Sequence, residues 1–411
     1  MDAVAAYLAL RTPQGRADPF PCYAVMHAHG PVLPLGQPVS SYAAVVHGYD
    51  AVAQVLRDPL FRVPDKERMS AVMPHWQEHP ALVVFMNSMM FANGERHAQA
   101  RRLITQVFTA RRVNGLTLAI TELVDDLLDR IAEVGAGAAT VDFMTEFAYP
   151  LPSNVIGALL GVPAEDRAWF RPHVIAIGGA LDAGDPAKLL AADKSATEMN
   201  AYFTELIAQR RAKPQDDLVS TLAQAWEGEP GLHEAQLLST LVLLFNAGFE
   251  TTTHLLGNGL STLLANPGSI SLLHREPQLA PLFVEEFLRL EAPAQLTTRW
   301  CIEDTEVGGV GLQAGQQVMV LFGAANRDPN RFPVPDRFDP WRPDNHPLTF
   351  SAGPHFCPGA ALTRLEGRIA FSRLVSRFPD LAATGPSTRL DQLALRGHTS
   401  LPIRVYQPVH P

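Results

Sequence analysis

The sequence predicts a mainly α-helical fold with a small β portion placed early and late in the chain. Three observations predict it: apolar residues recur at helical spacing over most of the sequence, strand-like segments are short, and turn formers separate the segments. No repeat, low-complexity tract or linker interrupts this order. With 47% hydrophobic and 18% charged residues, the chain can bury a large core. We therefore expect one compact domain over residues 1–411.

Helical periodicity is clearest in seven segments, and five short segments are typical of strands. Between residues 61 and 90 the period fades and turn formers are frequent, so we expect a long loop with short helical pieces there. Helical spacing resumes at Arg96. The predicted helices are 50–56, 148–160, 165–177, 187–211, 237–264, 281–290 and 360–377, and the predicted strands are 32–35, 43–47, 306–307, 318–321 and 403–406.

Charge and cysteine content exclude several classes of protein. The formal charge of −9, with 33 basic and 42 acidic residues, argues against nucleic acid as a partner, because phosphate binding needs a basic stripe. The three cysteines, Cys22, Cys301 and Cys357, are far apart, so neither a disulfide framework nor a zinc knuckle is expected. The start lacks a basic signal segment, and the apolar stretch 237–249 is too short to cross a bilayer. We expect a cytoplasmic protein without a membrane partner.

Cys357 lies in the decapeptide Phe-Ser-Ala-Gly-Pro-His-Phe-Cys-Pro-Gly at residues 350–359. A lone intracellular cysteine is most often a small buried apolar side chain. Here the flanking glycines and prolines indicate a backbone that turns tightly and lies close to something flat. A helix predicted to begin near Ala360 would favour a thiolate at its N-terminal end, as would free N–H groups of the turn. Cys357 is therefore the candidate functional cysteine.

The predicted helix 237–264 carries Ala-Gly-Phe-Glu-Thr at residues 247–251. Glycine inside a helix costs about 1 kcal/mol relative to alanine, so Gly248 needs a reason, either close helix packing or room for a small ligand. A buried carboxylate followed by a hydroxyl, Glu250 and Thr251, suits proton delivery. The preceding Asn246 follows a run of apolar residues and must find a hydrogen bond. Its partner is a backbone carbonyl, a water or a substrate.

Two charged pairs each occupy one helical face. Glu286 and Arg289 are three residues apart, where an ordinary surface pair stabilises by about 0.2–0.5 kcal/mol. His97 and Arg101 are one turn apart and could bind one carboxylate together. Either pair alone is also consistent with solvated surface side chains.

The decapeptide resembles the haem-binding loop of the cytochrome P450 family, in which Phe, Gly, a basic residue, Cys and Gly recur at this spacing. One usual glycine is Ser351 here, a mild departure because serine tolerates turns. Residues 286–289, 326–329 and 337–340 follow the family order, and residues 247–252 resemble its oxygen-binding helix. The loop before residue 97 departs, since Ala-Asn-Gly-Glu at 92–95 replaces the usual Asp-Pro-Pro. The decapeptide residues that carry the resemblance are Phe350, Gly353, His355, Cys357 and Gly359.

The resemblance covers essentially the whole chain and implies the cytochrome P450 fold, a triangular helical bundle. It implies haem b with the thiolate of Cys357 as the axial iron ligand, a ligand that promotes O–O cleavage. Glu286 and Arg289 would lock the loop, while Ala247 and Gly248 would leave room for dioxygen. Glu250 and Thr251 would deliver protons. The haem propionates would be held by His97, Arg101, Arg299 and His355.

The implied activity is a monooxygenase that hydroxylates or epoxidises an apolar organic substrate, such as a bacterial polyketide or terpenoid. Dioxygen would supply the oxygen, and a ferredoxin with its ferredoxin reductase would supply two electrons. The protein is expected to be a monomer. Alternatives are a phenol-coupling or peroxide-using relative, or a haem sensor without turnover. Glu250 with Thr251 disfavours the peroxide user and the sensor. The predicted docking face for an acidic ferredoxin comprises Arg102, Arg111, Arg112 and Arg364.

The substrate itself is not specified by any motif. Residues 69–91 carry five methionines and two phenylalanines, which are either core filler or an adaptable apolar lid. The methionines are Met69, Met73, Met86, Met89 and Met90. The candidate substrate contacts are Phe85, Met86, Met89, Leu243, Asn246, Leu296, Ala394 and Leu395.

Overall fold

The computed structural model describes residues 1–181, 185–227, 229 and 231–406. Its described residues are mostly helical, which confirms the predicted class. The α-helices are α1 Ala3–Ala9, α2 Pro13–Ala17, α3 Phe20–His27, α4 Tyr49–Arg57, α5 Lys66–Val72, α6 Pro80–Asn87, α7 Gly94–Val107, α8 Ala110–Gly115, α9 Thr117–Val134, α10 Pro150–Leu160, α11 Phe170–Gly179, α12 Pro186–Ala212, α13 Leu218–Glu227, α14 Glu234–Ala265, α15 Pro267–Arg275, α16 Ala280–Leu290, α17 Phe322–Ala325 and α18 Ala360–Arg377.

The strands are two to six residues long and form four small sheets in the described part of the chain. They are β1 Val32–Pro34, β2 Ala44–Val46, β3 Phe61–Arg62, β4 Val141–Asp142, β5 Leu296–Cys301, β6 Thr305–Val307, β7 Val310–Leu312, β8 Gln317–Leu321, β9 Ala382–Ala383, β10 Thr388–Arg389, β11 His398–Ser400 and β12 Pro402–Arg404.

All seven predicted helices and all five predicted strands are present, with ends shifted by a few residues. The helix predicted at 148–160 is preceded by a short π-helix, Met144–Ala148, and the one predicted at 165–177 begins as a 3₁₀-helix, Ala164–Trp169. The N-terminal helices α1 to α3 were not predicted. Side-chain caps fix the first two: Asp2 accepts from the Ala5 N–H, and Thr12 accepts from the Gly15 N–H.

The stretch 61–90, predicted as a long loop with short helical pieces, contains the short helices α5 and α6, short 3₁₀ turns and the strand β3, which was not predicted. Helix α6 shows no helical period because it is buried on more than one side, against both α12 and α14. Its start is capped from α12, where the Asp193 carboxylate accepts from the Ala81 N–H at 3.0 Å and contacts His79 Nδ1 at 2.7 Å. Tertiary contacts therefore make this segment helical.

Helix α14 is the axis of the molecule. It runs for 32 residues and packs against α6, α10, α11, α12, α16 and α18. Most of its side chains are buried, which explains the long apolar run in the sequence. Because α18 begins directly after the cysteine loop, the packing of α14 on α18 places the cysteine near the middle of the long helix.

The largest sheet has the order β1-β2-β8-β5-β3, with β2 and β8 parallel and the other neighbours antiparallel. Strand β5 carries Leu296 and Arg299, whose partners on β8 are Leu321 and Val318. A core cluster beneath this sheet also contains Leu348 and Ala352, so the sheet buttresses the start of the cysteine loop. No helix in the described residues is long and apolar enough to cross a membrane.

Candidate active site

The loop that ends at Cys357 is fixed by tight turns at both ends. Phe350 closes a buried 3₁₀ turn, and its carbonyl accepts from the Cys357 N–H at 2.9 Å. Gly353 has φ +66°, and a Cβ there would lie 2.4 Å from the Leu56 carbonyl oxygen. This glycine is thus required by the turn and by close packing on α4.

Ser351 occupies a more demanding position than the sequence suggested. Its φ of +63° and ψ of −169° fall in a region that is nearly restricted to glycine and costs about 1–3 kcal/mol for other residues. Its hydroxyl is buried and has no hydrogen-bond partner among the described residues. The expectation that serine is a mild departure here is therefore wrong, because the turn requires a conformation that L side chains resist.

The Cys357 sulfur is half-buried at the start of α18. Burial raises the pKa of its thiol, while the N–H groups of Gly359 and Ala360 and the guanidinium groups of Arg101 and Arg364 lower it. A Cβ at Gly359 would lie 3.8 Å from the sulfur, so the glycine leaves this face open. The predicted N–H groups of the turn and helix start do point at the sulfur. Cys22 and Cys301 are buried elsewhere, and the Cys301 thiol donates to the Gln313 carbonyl.

Behind the loop, Glu286 and Arg289 form a fully buried ion pair. Arg289 Nε donates to one Glu286 carboxylate oxygen at 2.8 Å and Nη2 to the other at 2.7 Å. The same guanidinium donates to the carbonyls of Asn326, Pro335 and Arg337. Every guanidinium nitrogen therefore has an acceptor, which is the condition for a buried arginine to be tolerated.

Asn326 connects this pair to the cysteine loop. Its amide donates to Thr349 Oγ1 at 2.8 Å and its oxygen accepts from the Leu348 N–H at 2.7 Å. Thr349 in turn donates to the Leu288 carbonyl on α16 at 2.6 Å. We name Glu286, Arg289, Asn326 and Thr349 the proximal network; it holds the chain at Leu348 and Thr349, nine and eight residues before Cys357.

Four side chains that are cationic or can become so gather beside the loop. His97 and His355 lie ring against ring with centroids 4.3 Å apart, and His97 Nε2 is buried without a partner. Burial and the nearby Arg299, His97 and Arg101 lower the pKa of His355 to about 3. Arg299 is itself buried, which lowers its pKa to about 10. The structure thus brings together all four residues predicted to hold propionates.

None of these four groups forms an ion pair with a carboxylate in the described part of the chain. Arg299 donates only to Thr297 Oγ1 and the Thr298 carbonyl, at 2.9 and 2.8 Å. Buried positive charge without a counter-ion is costly. The arrangement therefore fits a ligand that carries carboxylate groups. The two propionates of a haem are such groups.

A haem requires only one cysteine sulfur from the protein to bind its iron. Among the described residues, no three His, Cys, Asp or Glu side chains come together as metal ligands. Cys357 would thus supply one ligand to an iron, and a bound porphyrin would supply the ligands that the chain does not. Sulfur, cationic cluster and open face together fit haem.

In the middle of α14, Ala247, Gly248 and Thr251 are partly exposed, whereas nearly all their neighbours are buried. Thr251 Oγ1 donates to the Ala247 carbonyl at 2.7 Å. A Cβ at Gly248 would lie 3.1 Å from the Ile156 side chain on α10, so close helix packing accounts for this glycine. The three residues share one helical face.

Glu250 faces different surroundings from Thr251. Its carboxylate is buried against α11, where a Cβ at Gly178 would lie 2.4 Å from an oxygen, and Oε1 is 4.0 Å from His254 Nε2. His254 was not identified from the sequence, although its place four residues after Glu250 on one helical face was a usable signal. His398, a second buried histidine on β11, was not identified either.

The Asn246 amide donates to the Val174 carbonyl on α11 at 3.1 Å. Of the three partners considered from the sequence, the structure shows the backbone carbonyl. This carbonyl belongs to the neighbouring helix α11.

The candidate substrate contacts come from three places. Phe85, Met86 and Met89 are buried around α6, which packs on α14 where Leu243 and Asn246 lie. The two remaining segments meet through an Ala294–Leu395 bridge and the Gln295 N–H donating to the Ala394 carbonyl at 2.9 Å. This bridge places Leu296 beside Ala394 and Leu395. Of the methionines, Met73 is exposed, while Met86 and Met89 belong to the core.

The four arginines of the predicted docking face differ in their pairing. Arg111 and Arg112 are exposed near the start of α8. Arg102 forms an ion pair with Glu229, and Arg364 forms one with Glu285 and lies over the Phe350 ring. The net positive charge of this face is thus smaller than four arginines suggest.

Comparisons with known proteins agree with this geometry. The family model described as Cytochrome P450 matches residues 185–393. Cytochrome P450 monooxygenase PikC of Streptomyces venezuelae is 37% identical over 393 residues, 94% of this chain and 91% of PikC. P450BioI, solved in complex with hexadec-9Z-enoic acid ligated acyl carrier protein, is 33% identical with a TM-score of 0.88, covering 96% of this chain and 99% of that one. PksS, the cytochrome P450 of the Bacillus subtilis 168 bacillaene polyketide synthase, is 31% identical with a TM-score of 0.85, covering 97% and 99%.

Proposed function

The chain belongs to the cytochrome P450 family, and from that premise we propose that Cys357 is the thiolate ligand of its haem in the oxidation of an apolar natural product. The enzyme is a monooxygenase that uses a small-molecule substrate and redox partners. One observation carries the assignment of the ligand. Cys357 alone combines a half-buried sulfur, N–H groups directed at it and a neighbouring cationic cluster without carboxylates.

When bound, a thiolate-ligated haem activates dioxygen, so that one oxygen atom enters the substrate and the other leaves as water. The chain's own residues prepare this chemistry. The Phe350 carbonyl and the proximal network hold the backbone of Cys357 in place. Arg299, His97, Arg101 and His355 would bind the two carboxylates of the cofactor.

Proton handling would fall to α14. Thr251 Oγ1 donates to the Ala247 carbonyl, which leaves the lone pairs of the hydroxyl to accept a hydrogen bond from the side of the partly exposed face. Glu250 would supply protons from the buried side of the helix, through a side-chain rotation or a water, since its carboxylate lies towards α11. An acid and an alcohol in sequence are suited to this role.

For the substrate, we propose a polyketide-like or terpenoid molecule. The side chains gathered around α6, α14 and the Ala294–Leu395 bridge are almost all apolar, which suits a molecule with few polar groups. PksS belongs by its name to a polyketide synthase, and P450BioI was solved with an acyl chain on a carrier protein. Both relatives support a natural product of acyl origin.

As electron donor we propose an acidic ferredoxin that docks near Arg111 and Arg112, with the protein acting as a cytoplasmic monomer. The two exposed arginines precede α9, which packs on α18 beyond the cysteine. Their charge would steer an acidic partner towards this face.

Replacement of Cys357 by serine tests the ligand assignment. We expect Cys357→Ser to lose the strongly red-shifted Soret band of the reduced carbon-monoxide complex, because that band depends on a thiolate ligand. Cys22→Ser and Cys301→Ser are matched controls and should keep it. Survival of the band in Cys357→Ser, or its loss in a control variant, would contradict the assignment.

Replacement of Thr251 by alanine tests the proton role. We expect Thr251→Ala to bind haem and substrate but to divert electrons to hydrogen peroxide, lowering product per NADPH on the order of tenfold. Thr253→Ala is the control, because Thr253 Oγ1 makes the same kind of bond, to the Phe249 carbonyl at 2.8 Å, from a buried position. Equal product yields in the two variants would remove the role of Thr251.

A further inference from the structure

Two buried histidines near the proposed active site have no hydrogen-bond partners. His254 on α14 is 3% exposed and His398 on β11 is 0% exposed. All four ring nitrogens lack a partner among the described residues. A neutral imidazole offers one donor and one acceptor, and leaving such groups unpaired in the interior is costly. Because both unpaired histidines lie on one side of α14, one function can account for both.

His254 is placed between Glu250 and His398. Its Nε2 is 4.0 Å from Glu250 Oε1. The other side of its ring lies against Gly397, where a Cβ would be 2.0 Å from Nδ1, and His398 is the next residue along the chain. His398 also packs on α14, since a Cβ at Gly257, three residues after His254, would lie 3.7 Å from the His398 Cβ. Glu250, His254 and His398 thus form a line of buried groups. Its inner end is Glu250, the acid of the proposed proton pair.

The outer end of the line is a charged cluster that reaches the surface. Glu291 accepts from Arg396 Nε at 2.7 Å and pairs with Arg389 at 3.4 Å. Arg389 on β10 is the cross-strand partner of His398 on β11, which places the cluster next to this histidine. The Arg389 side chain is 24% exposed, which gives water access to the cluster.

We propose that His254 and His398, bridged by internal water, form the route by which protons pass from the surface at Arg389 and Glu291 to Glu250. This inference depends on the proposed proton role of Glu250. It assigns both histidines as positioning residues, since they act through Glu250 and need not contact substrate or haem.

The chemistry balances without a further reactant. Monooxygenation consumes a substrate, dioxygen, two electrons and two protons and yields one hydroxylated product and one water. Burial lowers the pKa of His254 to about 4 and of His398, with the neighbouring charges, to about 3, so both rings are neutral at pH 7. Each neutral ring can take a proton at one nitrogen and release one from the other. Buried water with two to four polar partners is common in proteins and would satisfy these nitrogens.

Turnover of His254→Leu and His398→Leu tests the route. With saturating redox partner and substrate, we expect kcat to fall on the order of tenfold in each variant while KM changes by less than about twofold. The solvent deuterium isotope effect on kcat should rise, because proton supply becomes limiting. His47→Leu is the matched control: His47 is also buried, its Nδ1 also lacks a partner, and it lies on the sheet side of the molecule. Its kcat and isotope effect should be those of the parent.

His254→Gln separates a relay from a structural role. Glutamine keeps a polar group in the cavity but cannot pass a proton from one ring nitrogen to the other. We expect it to fold and to be as slow as His254→Leu. Parental kcat and isotope effect in His254→Gln, or in both leucine variants, would overturn the route.

Thr251→Ala, measured in parallel, distinguishes this failure from failure of the proposed function. Lost coupling in Thr251→Ala with parental histidine variants refutes the route alone, whereas normal coupling in Thr251→Ala refutes the proton role of Thr251 on which the proposed function relies. A crystal structure of the haem-loaded protein gives a readout independent of activity. It should show ordered water within hydrogen-bonding distance of both rings, and a dry contact between them would overturn the proposal.

Discussion

The proximal network and the two histidines beside Glu250 differ in how their buried nitrogens are hydrogen-bonded. In the network, Arg289 is fully buried and each of its guanidinium nitrogens donates to a carboxylate or carbonyl oxygen. Beside Glu250, His254 and His398 are also deeply buried, and none of their ring nitrogens has a hydrogen-bond partner in the described residues. The same core therefore contains one saturated and one unsaturated polar region.

The difference follows from what each region has to do. A backbone that presents a metal ligand must not move, and a saturated hydrogen-bond network gives it one geometry. A region that handles protons needs groups whose hydrogen bonds can be exchanged. Unpaired polar atoms serve that purpose and reduce stability. Substitutions of Arg289, Asn246 and Ser351 test this contrast.

The largest effect is expected in the proximal network. Arg289→Met should lower the free energy of unfolding by about 3–5 kcal/mol, because it leaves the carboxylate of Glu286 buried with much of its pairing removed. The urea midpoint of the haem-loaded protein measures this. Arg337→Met is the control, since the Arg337 side chain is 64% exposed in its pair with Asp339 and should change stability by less than about 0.5 kcal/mol. Similar losses in both variants would show that the buried network is not special.

An intermediate effect is expected at Asn246, on α14. Asn246→Leu removes the bond to the Val174 carbonyl and leaves that oxygen buried, so we expect a loss of about 1–2 kcal/mol in the free energy of unfolding. Thermal unfolding measures the loss, and product analysis shows which substrate position is oxidised. An unchanged position with lower stability assigns the amide to helix packing. A changed position would show that it also orients the substrate.

The smallest effect is expected in the cysteine loop itself. Ser351→Gly should raise the free energy of unfolding by about 1 kcal/mol, because glycine adopts the φ of +63° without strain and the unpaired hydroxyl is removed. The gain is reduced by the greater freedom of glycine in the unfolded chain. Ser351→Ala removes the hydroxyl but keeps the Cβ and should gain less. A destabilised glycine variant would mean that the serine hydroxyl has a partner in the haem-loaded protein.

Much of the site was predictable because it depends on local chemistry. The decapeptide places a cysteine between tight turns and a helix start, and the structure confirms those turns and that start. Residue spacing also predicted that Glu286 and Arg289 lie on one helical face, where they form an ion pair. Short helical pieces were expected between residues 61 and 90, but the bounds of α6 were not predicted, because a segment buried on more than one side has no period to detect.

The helical class, the cysteine loop and the order of its supporting motifs can be read from the residues alone, since these depend on periodicity, turn residues and short spacings. Which distant groups meet depends on how the helices and sheets pack. This packing brought Arg299 to His97 and His355, turned Glu250 towards α11, and placed His398 beside a histidine that precedes it by more than a hundred residues. Such contacts join separate elements through the packing of α14 and the sheets, and no local pattern of residues encodes them.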